Sequence, residues 1–164
     1  MDFGSLIQHN INECEHKELT DKDLVVKFRS DGKFELIQDM KFYLGNYTRH
    51  FYDLKLNDLI RTDDNGEFIL IPKGFITDFG SVPQIFQSIV SAVGTPCKTF
   101  VLHDLLCDLN NAGFLTRLQA DKAFLYAMKR VKINSFRLYT LYFFVRLYGV
   151  CIKPLENLFI KCFK

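Results

Sequence analysis

Three short stretches of this chain place polar residues of chemically competent types among apolar neighbours. In Val101-Leu102-His103-Asp104-Leu105-Leu106-Cys107-Asp108, an imidazole and a carboxylate interrupt an aliphatic run. Consecutive helical residues point about 100° apart, so His103 and Asp104 cannot both face solvent once Val101, Leu102, Leu105 and Leu106 are packed. An imidazole in that position is a metal ligand or a base near neutral pH, and a neighbouring carboxylate binds metal or orients the ring. The plainer reading of the pair is a structural histidine with a polar partner. Cys107, one turn further on, is a ligand, a nucleophile or, more simply, a small packing residue.

Asp121 is the second feature. Leu118, Phe124, Leu125 and Met128 lie three, four or seven positions from it, so it shares the face that should be buried, and a buried carboxylate needs a partner. The short Asn111-Ala112-Gly113-Phe114-Leu115 connection makes its helix an antiparallel neighbour of the His103 helix, which makes His103 the natural partner. The third feature is Gly74-Phe75-Ile76-Thr77-Asp78-Phe79-Gly80-Ser81-Val82-Pro83, with a carboxylate, two hydroxyls and two glycines between a strand end and a helix start. Glycine admits close backbone approach, and free amides at a helix start favour anions. Alternatively, Asp78 or Ser81 simply caps the turn and the helix after it. Arg130, Arg137 and Arg146 are candidates for phosphate or carboxylate binding, with solvation or local pairing as the ordinary expectation.

The elements that must position these residues fall into two runs. From Leu24 the pattern has period two: Val25-Val26-Lys27-Phe28, the Asp31-Gly32 turn and Phe34-Glu35-Leu36-Ile37 read as a hairpin. Lys41 to Leu44, His50 to Leu54 and Glu67 to Ile71 are strand-like, the last following the turn signal Asp63-Asp64-Asn65-Gly66. Beyond Pro72 the periodicity becomes helical. Helices are predicted near 84–93, 97–111, 117–131 and 135–150, with a short amphipathic piece near 154–162. Thr116 and Gln119 form a plausible capping box for the third. Strands over about 23–71 followed by helices over about 84–162 predict an α+β domain: N-terminal antiparallel strands and hairpins, then a C-terminal antiparallel helical bundle. Residues 1–22 read as a polar N-terminal extension and 23–164 as a single domain.

Net charge is +2, but residues 1–82 carry 10 Lys and Arg against 15 Asp and Glu, while residues 83–164 carry 11 against 4, which is −5 followed by +7. A basic half suits nucleic acid, an anionic membrane or an acidic protein; singly spread cations more often mark a solvated helical surface. Five cysteines without C-x-x-C spacing indicate neither a disulfide framework nor a zinc ribbon, so reduced thiols in a cytosol are expected. The N-terminus shows no signal peptide, which places the chain in the cytoplasm of its producer. The apolar stretch Leu138 to Ile152 is about 15 residues long and contains Arg146, whereas a membrane span needs roughly 20 apolar residues. It reads as a buried or interfacial helix, able with the C-terminal segment to lie on a lipid surface.

Taken together, G-F-I-T-D-F-G-S-V-P at 74–83, V-L-H-D-L-L at 101–106, A-D-K-A-F at 120–124 and R-L-Y-G at 146–149 resemble the domain of unknown function 1353 family of bacteria and their phages. The resemblance covers about residues 24–150 and implies that Asp78, Ser81, His103, Asp104 and Asp121 belong to one pattern. It also implies a phage or prophage origin. A looser resemblance joins the helix-borne His103-Asp104, Asn110 or Asn111, Asp121, Phe124 and Met128 to phospholipase A(2) enzymes, particularly their bacterial forms. It implies His103 as the base that activates water, Asp121 as its orienter and Asp104 as a calcium ligand, with Gly80 or its neighbours completing the ion site. The cysteines that flank the pair in those enzymes are absent apart from Cys107, and their glycine-rich calcium loop has no close match.

The leading functional expectation is a metal-assisted hydrolase acting on a lipid ester. Asp104, with Asp78, would hold the divalent ion, calcium in preference to zinc, and His103 and Asp121 would be catalytic. Thr77, Gly80 and Ser81 complete the site loop. A zinc version would make His103 a direct ligand. The alternative is a non-enzymatic phage accessory or virion protein acting through protein contacts, with the same polar cluster holding helices to sheet. Partners are then membrane lipid or phage and host proteins; nucleic acid ranks below both.

Overall fold

Alternation of apolar and polar residues on either side of the Asp31-Gly32 turn pairs β1 (Val26–Phe28) with β2 (Phe34–Leu36) in antiparallel register, Val26 opposite Leu36. In the computed structural model, which describes residues 24–78 and 97–152, Gly32 sits at φ +79 in that turn, a conformation that glycine adopts without steric cost. The Asp31 carboxylate accepts the Lys33 amide across it. The short strand β6 (Ile76–Thr77) joins the other side of β2, with Phe34 opposite Thr77, giving the order β1-β2-β6.

A second sheet has the order β3-β5-β4, from β3 (Met40–Tyr43), β4 (Ile60–Asp63) and β5 (Gly66–Ile71). Asp63 pairs with Gly66, so the expected turn is a two-residue connection through Asp64 and Asn65. The strand reading of His50 to Leu54 is corrected, because Thr48–Asp53 forms a helix, α1. Tyr47, Phe51 and Leu54 are spaced four and three apart and all pack on the core, which is helical periodicity that a short window conceals.

Three longer helices follow: α2 (Cys97–Asn111), α3 (Arg117–Arg130) and α4 (Ser135–Leu147), the last running into a π turn at Tyr148–Ile152. Their bounds agree closely with those read from periodicity. The expected pieces near 84–93 and 154–162, and the 1–22 extension, lie outside the described residues. The Thr116–Gln119 capping box forms, with Thr116 Oγ1 accepting the Gln119 amide at 3.2 Å and Gln119 Oε1 accepting the Thr116 amide at 2.7 Å. Gln119 Nε2 also donates to the Leu54 carbonyl at 2.7 Å, which ties the start of α3 to the end of α1. The expectation of reduced thiols throughout is corrected at Cys97, which is disulfide-bonded; Cys107 and Cys151 are reduced thiols.

Antiparallel sheets with one covered face and helices gathered on that face make the α+β architecture expected from the sequence. Leu36, Phe42, Phe51, Ile69 and Ile71 from the first part of the chain pack in one cluster with Val101, Leu102 and Leu106 of α2 and Ala120, Ala123 and Ala127 of α3. The small alanines, three and four apart, let α3 come close to its neighbours. A second cluster, Phe100, Phe124, Met128, Leu138 and Leu141, seats α4 on α2 and α3. Replacing the fully buried Phe51 with alanine should cost about 3–5 kcal/mol, read as a lowered midpoint in denaturant at unchanged slope. Phe114→Ser, on a side chain 80% exposed, should stay within about 0.5 kcal/mol of wild type.

Candidate functional site

Asp121 lies on the face of α3 that turns inward, and its side chain is completely shielded from solvent. An ionised carboxylate so placed is costly unless its lone pairs are met by donors. Three donors meet them. His103 Nε2 on α2 is 3.0 Å from Oδ1, Arg117 Nε donates to the same oxygen at 2.8 Å, and Arg146 Nη1 donates to Oδ2 at 2.9 Å. Arg117 stands one turn before Asp121 on α3, whereas Arg146 reaches it from the last turn of α4.

Sequence reasoning placed the His103–Asp121 contact correctly, named Arg146 only as a general candidate for binding phosphate or carboxylate, and missed Arg117. Arg117 carried a local signal, since a cation four residues before a carboxylate faces it on a helix. Arg146 carried no signal from spacing, although it opens the R-L-Y-G stretch. Gly149 ends that stretch and has its own part: a Cβ there would stand 2.9 Å from Arg117 Nε and 3.1 Å from its Cζ. The glycine leaves the space through which Arg117 reaches Asp121. Both ends of R-L-Y-G therefore serve one carboxylate.

The electrostatics follow from this packing. Burial alone would push the Asp121 carboxyl up, but the His103 hydrogen bond and the charges and bonds of Arg117 and Arg146 outweigh it and hold the pKa below the ordinary aspartate value. For His103, burial comes first and lowers the pKa; Asp121 opposes it, and the Arg117 charge adds to the lowering. The ring is therefore neutral at pH 7. Because the ionised Asp121 can only accept, Nε2 carries the hydrogen and Nδ1 is left as an acceptor. The ring lies 4.6 Å from the Phe124 ring, and the Cys107 sulfur is 3.6 and 3.9 Å from Nε2 and Nδ1.

Asp104, next to His103, is half buried and accepts a hydrogen bond from Thr77 Oγ1 at the end of β6. Thr77 itself is buried, so this contact ties the first sheet to α2. Asp78 is exposed. Gly80 and Ser81, expected to complete the loop, lie outside the described residues. The structure thus brings Thr77 to Asp104 and His103 to Asp121 on neighbouring turns of α2. Among the described residues, no group of three or more His, Cys, Asp and Glu is arranged to hold a metal ion. Asn110 closes the α2–α3 connection by donating from Nδ2 to the Leu115 carbonyl at 2.8 Å.

Two predictions follow from the charges. Removing the carboxylate in Asp121→Asn leaves two guanidiniums facing each other across an amide and should cost about 3 kcal/mol, at the low end for a buried pair because both arginines reach solvent. The triple change Asp121→Leu, Arg117→Met, Arg146→Met should regain much of that in a denaturant titration. With acid the two shifts act in the same direction. The folded His103 resists protonation, so stability present above the unfolded histidine pKa of about 6.5 declines as pH falls below it. The Asp121 contribution is complete above the unfolded aspartate pKa of about 3.9 and is lost below it. His103→Gln, which keeps a donor, should flatten the first decline and leave the second.

The family described as Protein of unknown function (DUF1353) matches residues 54–145, which contain β4, β5, β6, α2, α3 and nearly all of α4. No curated protein and no solved structure matches the chain. The likeness to phospholipase A(2) finds no support in any of them. The match spans more than half of the chain and includes His103, Asp104, Arg117 and Asp121, so this protein belongs to the DUF1353 family of proteins of unknown function.

Proposed function

We propose that this domain works as a non-enzymatic docking module, in the manner of a phage or prophage accessory protein, and that its polar cluster sets the position of the docking helix. The observation that carries this reading is the commitment of Asp121: with three donors on its two oxygens, two of them guanidiniums, it acts chiefly as a clamp between α2, α3 and α4. A carboxylate already neutralised by two cations adds little to the basicity of the imidazole beside it.

What the clamp presents is the outer face of α4. Phe136, Tyr139, Phe143, Leu147 and Val150 are exposed, at 82, 56, 60, 39 and 54%, and stand three, four, four and three residues apart. That spacing aligns them along one side of the helix, opposite Leu138 and Leu141, which face the core. A helix apolar on both sides is ordinarily covered on both. Applied to whole side chains of about 150–250 Å², those exposures amount to roughly 500 Å² of mainly apolar surface, at the upper range for a lone monomer.

A hydrolytic reading is favoured by one observation, the His103 imidazole with Nε2 3.0 Å from the Asp121 carboxylate and Asp104 next to it on α2. In that reading His103 takes a proton from water at Nδ1, and Asp104 with Asp78 supplies oxygen ligands of the kind calcium takes. A lipid ester would be the substrate.

The two readings separate in the tube. The docking reading expects no turnover of lipid esters with calcium present beyond that of His103→Gln; saturable turnover abolished by that substitution would replace it with hydrolysis. It also expects Phe136→Ser/Phe143→Ser to fold within about 0.5 kcal/mol of wild type while binding much less of an apolar dye such as anilinonaphthalene sulfonate. A loss of 2 kcal/mol or more, the mark of a core position, would mean that the chain itself covers this face, and the docking reading would fail.

A further inference from the structure

On the reading that the outer face of α4 is a docking surface, the geometry points to its occupant: we propose that α4 and the π turn after it lie on an anionic lipid surface. Charge favours such a surface. Between Asp121 and Glu156 the sequence holds no acidic residue, while Lys122, Lys129, Arg130, Lys132, Arg137, Arg146 and Lys153 are all basic. Arg146 is engaged with Asp121 and Arg137 is buried, so the cations free to reach a surface stand mainly at the junction of α3 and α4. Lys132 is exposed there, at φ +56 in the turn between the two helices, and Lys129 is half buried beside it. This stretch of chain therefore offers a partner positive charge and no carboxylate of its own.

The chemistry of the stripe favours it too. Its five side chains offer one polar atom that is not backbone, the Tyr139 hydroxyl. A protein interface of this size would ordinarily hold several hydrogen bonds. A hydrocarbon boundary demands none and favours aromatic rings, which sit with an apolar body inward and a polar edge toward the headgroups. The length of the helix fits as well. Ser135–Ile152 is 18 residues, about 27 Å of nearly continuous helix, with the stripe along its length. No helix among the described residues is long and apolar enough to cross a membrane. A helix lying in the interface plane buries such a face about 5–10 Å deep, and anionic headgroups at its N-terminal end would meet Lys129 and Lys132, which precede it in the chain.

The test is co-sedimentation of the full chain with large vesicles of phosphatidylcholine alone and of phosphatidylcholine mixed with phosphatidylglycerol, beside sedimentation velocity without lipid. The expected result is binding to the anionic vesicles at least about tenfold stronger than to the neutral ones, weakened by salt. Phe136→Ser/Phe143→Ser should abolish it, and Lys129→Glu/Lys132→Glu should reduce it about tenfold or more while leaving the weak neutral-vesicle binding unchanged. Wild type that stays in the supernatant with both vesicle types overturns the proposal, as does equal binding to both or binding indifferent to the phenylalanine changes. If wild type ignores lipid but is a dimer that the phenylalanine changes dissociate, the lipid assignment falls and the docking reading stands with a second copy as occupant. If it ignores lipid and stays monomeric, and the same changes destabilise the fold like core substitutions, both fall.

Discussion

A carboxylate with no exposure to water must have its charge and its lone pairs met from within, and in this protein that requirement falls on Asp121. Its donors come from three places in the chain: the middle of α2, the first turn of its own helix and the last turn of α4. Each bond has a direction, so each helix is fixed in rotation as well as in distance. Hydrophobic contacts alone are less demanding, because an apolar face tolerates sliding and small rotations that a bond near 2.9 Å does not. Gly149 extends the same constraint to the π turn, where a side chain would displace Arg117.

Energetically, a cluster of this kind is a doubtful source of stability. Desolvating the charges offsets most of what their attraction returns, and well-packed apolar residues often do as well. What the cluster supplies is definition. With Arg146 held on Asp121, Leu138 and Leu141 face Phe100, Phe124 and Met128, and Phe136, Tyr139 and Phe143 are turned outward. The inward contacts of Arg146, Leu138 and Leu141 and the outward stripe are thus opposite sides of one helix.

The first part of the chain joins this helical assembly at two kinds of contact. The second sheet meets it through apolar packing, with Phe42, Ile69 and Ile71 in the same cluster as Val101, Leu102 and Leu106. The first sheet adds a polar link, Thr77 to Asp104. Adjacent residues of one helix, His103 and Asp104, therefore look in different directions, one toward α3 and one toward β6, as their angular separation along a helix requires.

Legible in the linear pattern were the α+β class, the Asp31-Gly32 hairpin, the turn before β5, the bounds of α2, α3 and α4, the capping box at Thr116 and the partnership of His103 with Asp121, whereas β4 was not. These rest on periodicity, on turn chemistry and on short-range geometry, all of which a linear pattern carries. It misread His50 to Leu54, where five residues are too few to separate a period of 2 from one of 3.6 and where Tyr47 and Phe51 had to be seen against the core to reveal the helix. Tertiary structure alone decided that Arg146 crosses to Asp121, that Gly149 makes room for Arg117, and which side of α4 is left uncovered. Each of these joins residues far apart in the chain, and the pattern of α4, apolar on nearly every side, holds no record of where its neighbours stand.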